Sequence, residues 1–315
     1  DGQAVTCDDF LAALADANDV DLDAFARWYE QAGTPQITVR RSAGSGPDQM
    51  VLALAQHTPQ TAAQTPRQAL PIPVRLAFLD ASGALVPTRL TEDGPAEEEH
   101  VILLTKDQQD QPIYAADASG LTPSILRNFS APVTIDDDLS RDERRHIMRY
   151  DTDLFNRWDS AQTLISDEIL TAAANPLAPV DDYAIAALAD GFGHILADPS
   201  CLDYFKAAIL TLPAISVLES RMTPADPVAL FNARLTVEAA LGQHMQEQYQ
   251  QALNPQKSST LAATAGGRAL RNRMLALAVA AGDMAADDVV VDQVLNTNMT
   301  LSQGAIAAVN QRPTA

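Results

Sequence analysis

The sequence is short of positive charge. Its 315 residues hold 21 lysines and arginines against 41 aspartates and glutamates, a formal net charge of −20. Surfaces that hold nucleic acid or anionic lipid neutralise phosphates with basic patches, so neither partner is expected here. The deficit is spread along the chain: residues 1–136 carry 8 basic and 19 acidic side chains, and the remainder 13 and 22. That pattern reads as a solvated acidic surface. Cysteine is nearly absent. Cys7 and Cys201 stand far apart, and two buried free thiols are expected rather than a disulfide framework. No apolar run approaches the roughly 18 residues of a membrane span, and no signal-peptide pattern opens the chain. An initiator methionine is also lacking, and the first residues read as the middle of a longer protein. Aromatics make up only 5% while alanine is abundant, which favours closely packed helices. Hydrophobic residues, at 47%, still suffice for a sizeable core and for two domains.

What is present is a change of period. Residues 4–18 read as a helix, with Thr6 and Asp9 spaced as a capping box and Phe10, Leu11 and Leu14 on one face. A second helix opens with Asp21 as N-cap, and Leu22, Phe25, Trp28 and Tyr29 recur at helical spacing. Gly33 is placed as its C′ residue, and Pro35 bars continuation. Ile37 and Val39 then alternate with Thr38 and Arg40 as in a half-buried strand. Strands are predicted at Ile37–Arg40, Met50–Gln56, Ile72–Leu79 and His100–Leu104, divided by turn-rich pieces at 42–48 and 58–68. Asp80–Gly83 is a tight hairpin turn. Many short strands with no long helix between them make an Ig-like β-sandwich.

From Leu139 the period is helical to the end. Ser140 and Glu143 form a capping box for a helix to about Tyr150. A long helix starts at Asp151 or Thr152, with Leu154, Phe155, Trp158, Ala161, Ile165 and Ile169 on one face. Further helices are predicted at 181–197, 200–211, 226–252, 258–281, 284–295 and 300–310. Antiparallel helices on short loops make an α-helical superhelical, solenoid-like domain, here without a fixed sequence repeat.

Phe-x-x-Trp-Tyr-x-Gln-x-Gly-Thr-Pro, at Phe25–Pro35, resembles the end of the catalytic domain in the aminopeptidase N family of zinc metallopeptidases, gluzincins of the bacterial alanyl aminopeptidase type. Asp1 to Phe10 is similar to the approach to those last catalytic-domain helices. Gln56-His57-Thr58-Pro59 and Pro71-Ile72-Pro73 look like successive strands of the family's sandwich, and Ser124 to Val133 like the strand that closes it. Arg157-Trp158 to Gln162, Gly267-Arg268 to Asn272, and Asn298-Met299-Thr300 resemble landmarks of its C-terminal helical domain. Leu301 replaces the usual acid after the last motif, which is expected to weaken the final helix's cap. The resemblance implies three parts. Residues 1–33 would be terminal helices of an otherwise missing catalytic domain, 34–136 the sandwich, and 137–315 a truncated helical domain. The faces of the first two helices would then be made to pack on absent chain, with Trp28 and Tyr29 resting on the sandwich or helical domain instead.

The family's chemistry rests on an H-E-x-x-H helix with a downstream glutamate, a G-x-M-E-N stretch for the substrate amine, and a tyrosine for the tetrahedral intermediate. None of these is in the sequence. The five histidines, His57, His100, His146, His194 and His244, have no second histidine four positions on, and each reads as a surface or satisfied core residue. His244 and Glu247 have the i, i+3 spacing of a helical metal site, without a second copy. Gly266-Gly267-Arg268 lacks the strand and spacing of a phosphate loop and reads as a helix interruption or packing point. Glu97-Glu98-Glu99 reads as an exposed hairpin loop rather than a cation site. No G-x-S-x-G elbow organises a serine triad. No catalytic, cofactor-binding or metal-ligating residue is therefore expected in this chain.

The leading expectation is a non-catalytic C-terminal fragment of a cytoplasmic zinc aminopeptidase that releases N-terminal residues from peptides. Zinc would sit upstream, and the helical domain would cap the active site. The partners implied are the missing catalytic and N-terminal domains and, for the parent enzyme, peptide substrates. The alternatives are a free-standing protein-binding module, an Ig-like sandwich joined to an α-solenoid adaptor, or an independent hydrolase.

Overall fold

Strand pairing begins where the period changes. A computed structural model describes residues 2, 4–59 and 67–310, and these fall into two compact units, Asp1–Ser140 and Arg141–Ala315. In the first, α1 (Cys7–Asn18) and α2 (Asp23–Glu30) lead into seven strands. These are β1 (Gln36–Ala43), β2 (Gln49–His57), β3 (Ile72–Leu79), β4 (Glu99–Leu104), β5 (Gln108–Tyr114), β6 (Thr122–Ile125) and β7 (Thr134–Asp136). They form a four-stranded sheet in the order β5-β2-β1-β7 and a three-stranded sheet in the order β4-β3-β6. Alternation sets the core face of each. Ile37, Val39, Leu52 and Leu54 of the larger sheet join Val74, Leu76, Phe78, Ile102 and Leu104 of the smaller in one buried cluster.

The four strands read from the sequence are in place. β5, β6 and β7 are not legible, because β5 buries only Ile113 and β6 and β7 span four and three residues. Pro112 and Pro123 lie on edge strands, where a missing N–H costs no ladder bond. The segment from Ser124 to Val133 is not one closing strand. It leaves the smaller sheet after Ile125, turns through Leu126, Asn128 and Phe129 at φ 59°, 57° and 50°, and joins the larger sheet as β7. Asp80 holds the expected hairpin turn. Its carboxylate accepts from Ser82 N (2.8 Å), Ser82 Oγ (2.6 Å) and Ala84 N (3.1 Å), and Gly83 takes φ 87°. The stretch 58–68 lies largely outside the described residues.

The first helix has its capping box, Thr6 Oγ accepting from Asp9 N and the Asp9 carboxylate from Thr6 N. The second differs from expectation at both ends. Leu22 is its N-cap, and Asp21 accepts from Asp23 N one residue earlier. The helix stops at Glu30, so Gly33, at φ 103°, serves the following bend. Trp28 packs on the sandwich core and donates from Nε1 to Pro71 O at 3.1 Å, while Arg27 donates to Ala69 O at 2.7 Å. Tyr29 does not follow Trp28: it is 52% exposed, edge-on to Phe25. Phe10, Leu14 and Phe25 are exposed as well, while Leu11 is buried. Cys7 is exposed and Cys201 buried, so only one of the two free thiols is where composition puts it.

The second unit contains α3 (Arg141–Tyr150), α4 (Leu154–Ala174), α5 (Asp182–Ala197), α6 (Asp203–Leu210), α7 (Ile215–Glu219), α8 (Pro227–His244), α9 (Gln246–Leu253), α10 (Pro255–Ala262), α11 (Ala265–Ala280), α12 (Ala285–Val294) and α13 (Met299–Asn310). No strand lies beyond Asp136 among the described residues, and no helix there is long and apolar enough to cross a membrane. Side-chain caps set the starts. Asp153 accepts from Asn156 N, Asp181 from Ala184 N, and Asp226, ahead of Pro227 at the first helical position, from Val228 N and Ala229 N. The N-cap of α4 is thus Asp153 rather than Asp151 or Thr152. The predicted helix at 226–252 breaks at Met245 and that at 258–281 at Ala263–Thr264; α7 has no counterpart in the sequence reading. α11 is the axis, packed by α6, α8, α9, α10, α12 and α13. It buries Leu270, Met274, Leu275, Leu277, Ala278 and Val279 around most of its circumference.

Candidate functional site

The residues that could carry chemistry are scattered. His100 is buried, with Nε2 3.0 Å from both Thr88 Oγ1 and Thr88 O, the arrangement of a satisfied core imidazole donating to a carbonyl. His57 ends β2 on the surface. His146 and His194 flank the Tyr150 ring at 5.1 and 5.3 Å. His244 lies 2.8 Å from Asp182 Oδ1, whereas Glu247 belongs to α9 beyond the break at Met245 and accepts from Gln251 Nε2 at 3.1 Å. The metal-like spacing is therefore not realised. Glu97 is not wholly a loop residue, since it bridges Thr88, and Glu99 accepts from the buried Arg127 at 2.8 Å. Among the described residues no group of three or more His, Cys, Asp or Glu side chains could hold a metal ion. The donor set does not fit the zinc that the resemblance implies for the parent enzyme.

Gly266 and Gly267 are a packing point. Thr264 caps α11 by accepting from Gly267 N, and a Cβ on Gly267 would stand 2.0 Å from Leu261 O. Two of the sequence landmarks meet in space. Asn272 donates to Thr300 O at 2.9 Å and accepts from Gln293 Nε2 at 2.7 Å, which in turn donates to Leu301 O at 2.8 Å. Asn298 supplies the cap of α13 by accepting from Thr300 N at 3.1 Å, and Leu301 is a core residue. The departure at Leu301 leaves the helix capped.

The most concentrated polar chemistry is buried inside the helical unit, and little of it shows in the local sequence pattern. Arg157 of α4 is buried; its Nε donates to Met148 O at 3.1 Å and its Nη1 to Asp198 Oδ2 at 3.0 Å, with Cys201 Sγ at 3.2 Å. Asp198 also accepts from Ser200 Oγ (2.6 Å) and Ser200 N (2.9 Å). The Ser200 hydroxyl first, and the Arg157 guanidinium after it, hold the Asp198 carboxyl far below the usual carboxylate range. Burial pushes the Cys201 thiol up, which suits a structural thiol and not a nucleophile. Deeper still, Glu238 of α8 is 1% exposed and is clamped by Arg273 of α11 and Arg234 of α8.

Because Asp198 is depressed in the folded state, its stabilisation is full above the ordinary value of about 3.9 and is lost as pH falls below it. Asp198→Asn is expected to lower the melting temperature at pH 7, with the gap to the unsubstituted chain shrinking below about pH 4. Melts at both ends of that range check it; a gap independent of pH would remove the ionised carboxylate from the account.

Family models and relatives agree with this architecture. A model described as a domain of unknown function, DUF3458_C, ARM repeats, matches residues 141–315, and one described as DUF3458, Ig-like fold, matches residues 33–138. The chain is 30% identical to the Aminopeptidase N of Escherichia coli (strain K12) over 321 residues, covering 98% of the chain and 35% of that protein. It is 36% identical to the Aminopeptidase N of Caulobacter vibrioides, covering 86% of the chain and 30% of that protein. The chain thus spans about a third of the length of the curated relatives it matches. The crystal structure of Legionella pneumophila aminopeptidase A in complex with aspartic acid matches with a TM-score of 0.79 over 98% of the chain and 35% of that structure. At 22% identity that likeness is one of fold.

Proposed function

The chain belongs to the DUF3458_C family, with the likeness of the C-terminal part of aminopeptidase N, and from that membership we propose that it is the non-catalytic C-terminal part of a zinc-dependent aminopeptidase. The observation that carries the reading is the extent of the alignment, which takes in 98% of the chain but only 35% of the E. coli relative. In this reading α1 and α2 are the last helices of a catalytic domain, the sandwich is a spacer, and the helical unit caps the active site and limits entry to small or unfolded peptides. Zinc and the groups that activate water and hold an oxyanion belong to the preceding part of the same protein, in the cytoplasm. The exposed apolar side chains of α1 and α2 support it. Phe10, Leu14, Phe25 and Tyr29 are a cost in water unless another surface covers them.

The test is reconstitution. The chain alone is expected to release no N-terminal alanine from an alanyl anilide and to bind no stoichiometric zinc. Adding the separately produced preceding part of the parent should restore hydrolysis and slow amide exchange in residues 7–30, with β2 already protected beforehand. Chelator-sensitive hydrolysis by the chain alone would overturn the reading. So would exchange in α1 and α2 that ignores the added part, the outcome for a free-standing adaptor.

A further inference from the structure

We propose that a cleft in the helical unit, where α5, α6, α9, α10 and α11 meet, binds a small zwitterion with an aliphatic side chain, of the free amino acid or dipeptide kind. The cleft holds about 680 Å³, within the range of small-molecule sites. Its floor is apolar: Leu261, Leu270 and Met274 belong to the buried core, and each shows a face to the cleft. Its rim carries two ammonium groups, Lys206 and Lys257, and two carboxylates, Asp203 and Glu247. Among the described residues none of these four is in an ion pair. In a chain with nearly twice as many acids as bases, that balance is local and distinctive.

The balance selects the ligand. A simple anion or cation would meet as much repulsion as attraction, and an apolar molecule would desolvate four charges without pairing any. A molecule that carries both an ammonium and a carboxylate, with a hydrocarbon side chain beside them, answers rim and floor together. Part of the rim is already set. Lys206 Nζ donates to Leu196 O at 2.8 Å, which holds the ammonium in place with donors to spare, and Gln251 steadies Glu247. The break at Met245 lets Glu247 and Gln248 line the cleft while His244 pairs with Asp182. Gln248 Oε1 is buried without a hydrogen-bond partner, an unspent acceptor beside the cleft that suits an ammonium or a peptide N–H.

The inference rests on the cleft and not on the peptidase reading, and the chain by itself is the sample. Calorimetric titration with L-leucine and with leucyl-leucine is expected to show saturable binding of at least one. Leucine alone assigns a free amino acid, the dipeptide alone a peptide. Lys257→Gln and Glu247→Gln, both at exposed positions, should each weaken binding about tenfold or more, and Ala197→Phe, on the cleft wall, should abolish it. N-acetyl-leucinamide, which lacks both charges, should not bind. Binding of neither zwitterion overturns the assignment, as does equal binding of the neutral analogue or unchanged affinity in Ala197→Phe.

Discussion

Replacing Glu238 by alanine is expected to destabilise the helical unit by about 3–5 kcal/mol and to lower its melting temperature by about 10 °C or more. Glu238 sits at the crossing of α8 and α11 with Arg273 against one oxygen and Arg234 Nη1 3.6 Å from the other. Each guanidinium also donates onward, Arg273 Nε to Leu210 O at 2.8 Å and Arg234 Nε to Pro213 O at 3.1 Å. The two arginines therefore stitch the chain around α6 and α7 to α8 and α11. Burial lowers the Arg234 pKa, with Glu238 acting against it, so the site is dry enough for an unpaired charge to be expensive. Without the carboxylate two buried cations face each other. The paired replacement Glu238→Leu with Arg273→Met should recover part of the loss, because well-packed hydrocarbon removes one desolvation penalty along with the attraction, while Arg234 is still left without its carboxylate. Thermal melts of the single and double variants decide the matter; a single variant that melts within about 3 °C of the unsubstituted chain would make the cluster incidental.

The second large effect concerns Gly242, where two tendencies oppose each other. Glycine in a helix interior is about 1 kcal/mol worse than alanine, so propensity alone makes Gly242→Ala stabilising. Packing says otherwise. A Cβ there would lie 2.4 Å from Leu277 O and 3.0 Å from Ala281 Cβ. Leu277 O is backbone of the axial helix, which cannot retreat without disturbing its other neighbours. Overpacking of this kind costs about 1–3 kcal/mol beyond the helical gain, and Gly242→Ala should be destabilised in denaturant titration. A variant more stable than its parent would mean that α8 and α11 can slide apart freely.

These two sites show what the sequence could and could not tell. The sandwich and the helical array were legible because period is a property of short windows: Ile37 and Val39 alternate, and Ala161, Ile165 and Ile169 recur every fourth residue. β5 was not, since an edge strand reading Gln-Gln-Asp-Gln needs only one buried side chain, and its partner β2 supplies the rest of the face. Glu238 was missed for another reason. A glutamate on a helix reads as solvated, and only its place between Val237 and Leu241, on a face that also holds Leu230, hints otherwise. Its partner Arg273 is 35 residues away, a distance no local pattern spans. The rim of the cleft was illegible on the same ground, because Lys206 and Glu247 lie on different helices. The Gly267–Asn272 and Asn298–Thr300 landmarks were recognised singly, and their contact through Asn272 and Gln293 emerged only in three dimensions.

The parallel pairing of β1 with β7 sets an order of events during folding. Gln36 must find Thr134 and Ile37 must find Ile135, so the larger sheet cannot close until nearly a hundred intervening residues are made and in place. Closing a loop of that length costs about 4 kcal/mol of chain entropy by the logarithmic scaling, and contacts so distant in sequence slow the search. The ion pairs that latch the ends, Arg40 with Asp136 and Arg41 with Asp138, form only afterwards. The helical unit waits less, since α3 packs on α4, α9 on α10 and α12 on α13 as each is completed, although α6 must await α11. On a ribosome the sandwich would hold its first sheet open while β3 and β4 assemble, and it would seal only as the first turn of α3 emerges behind β7.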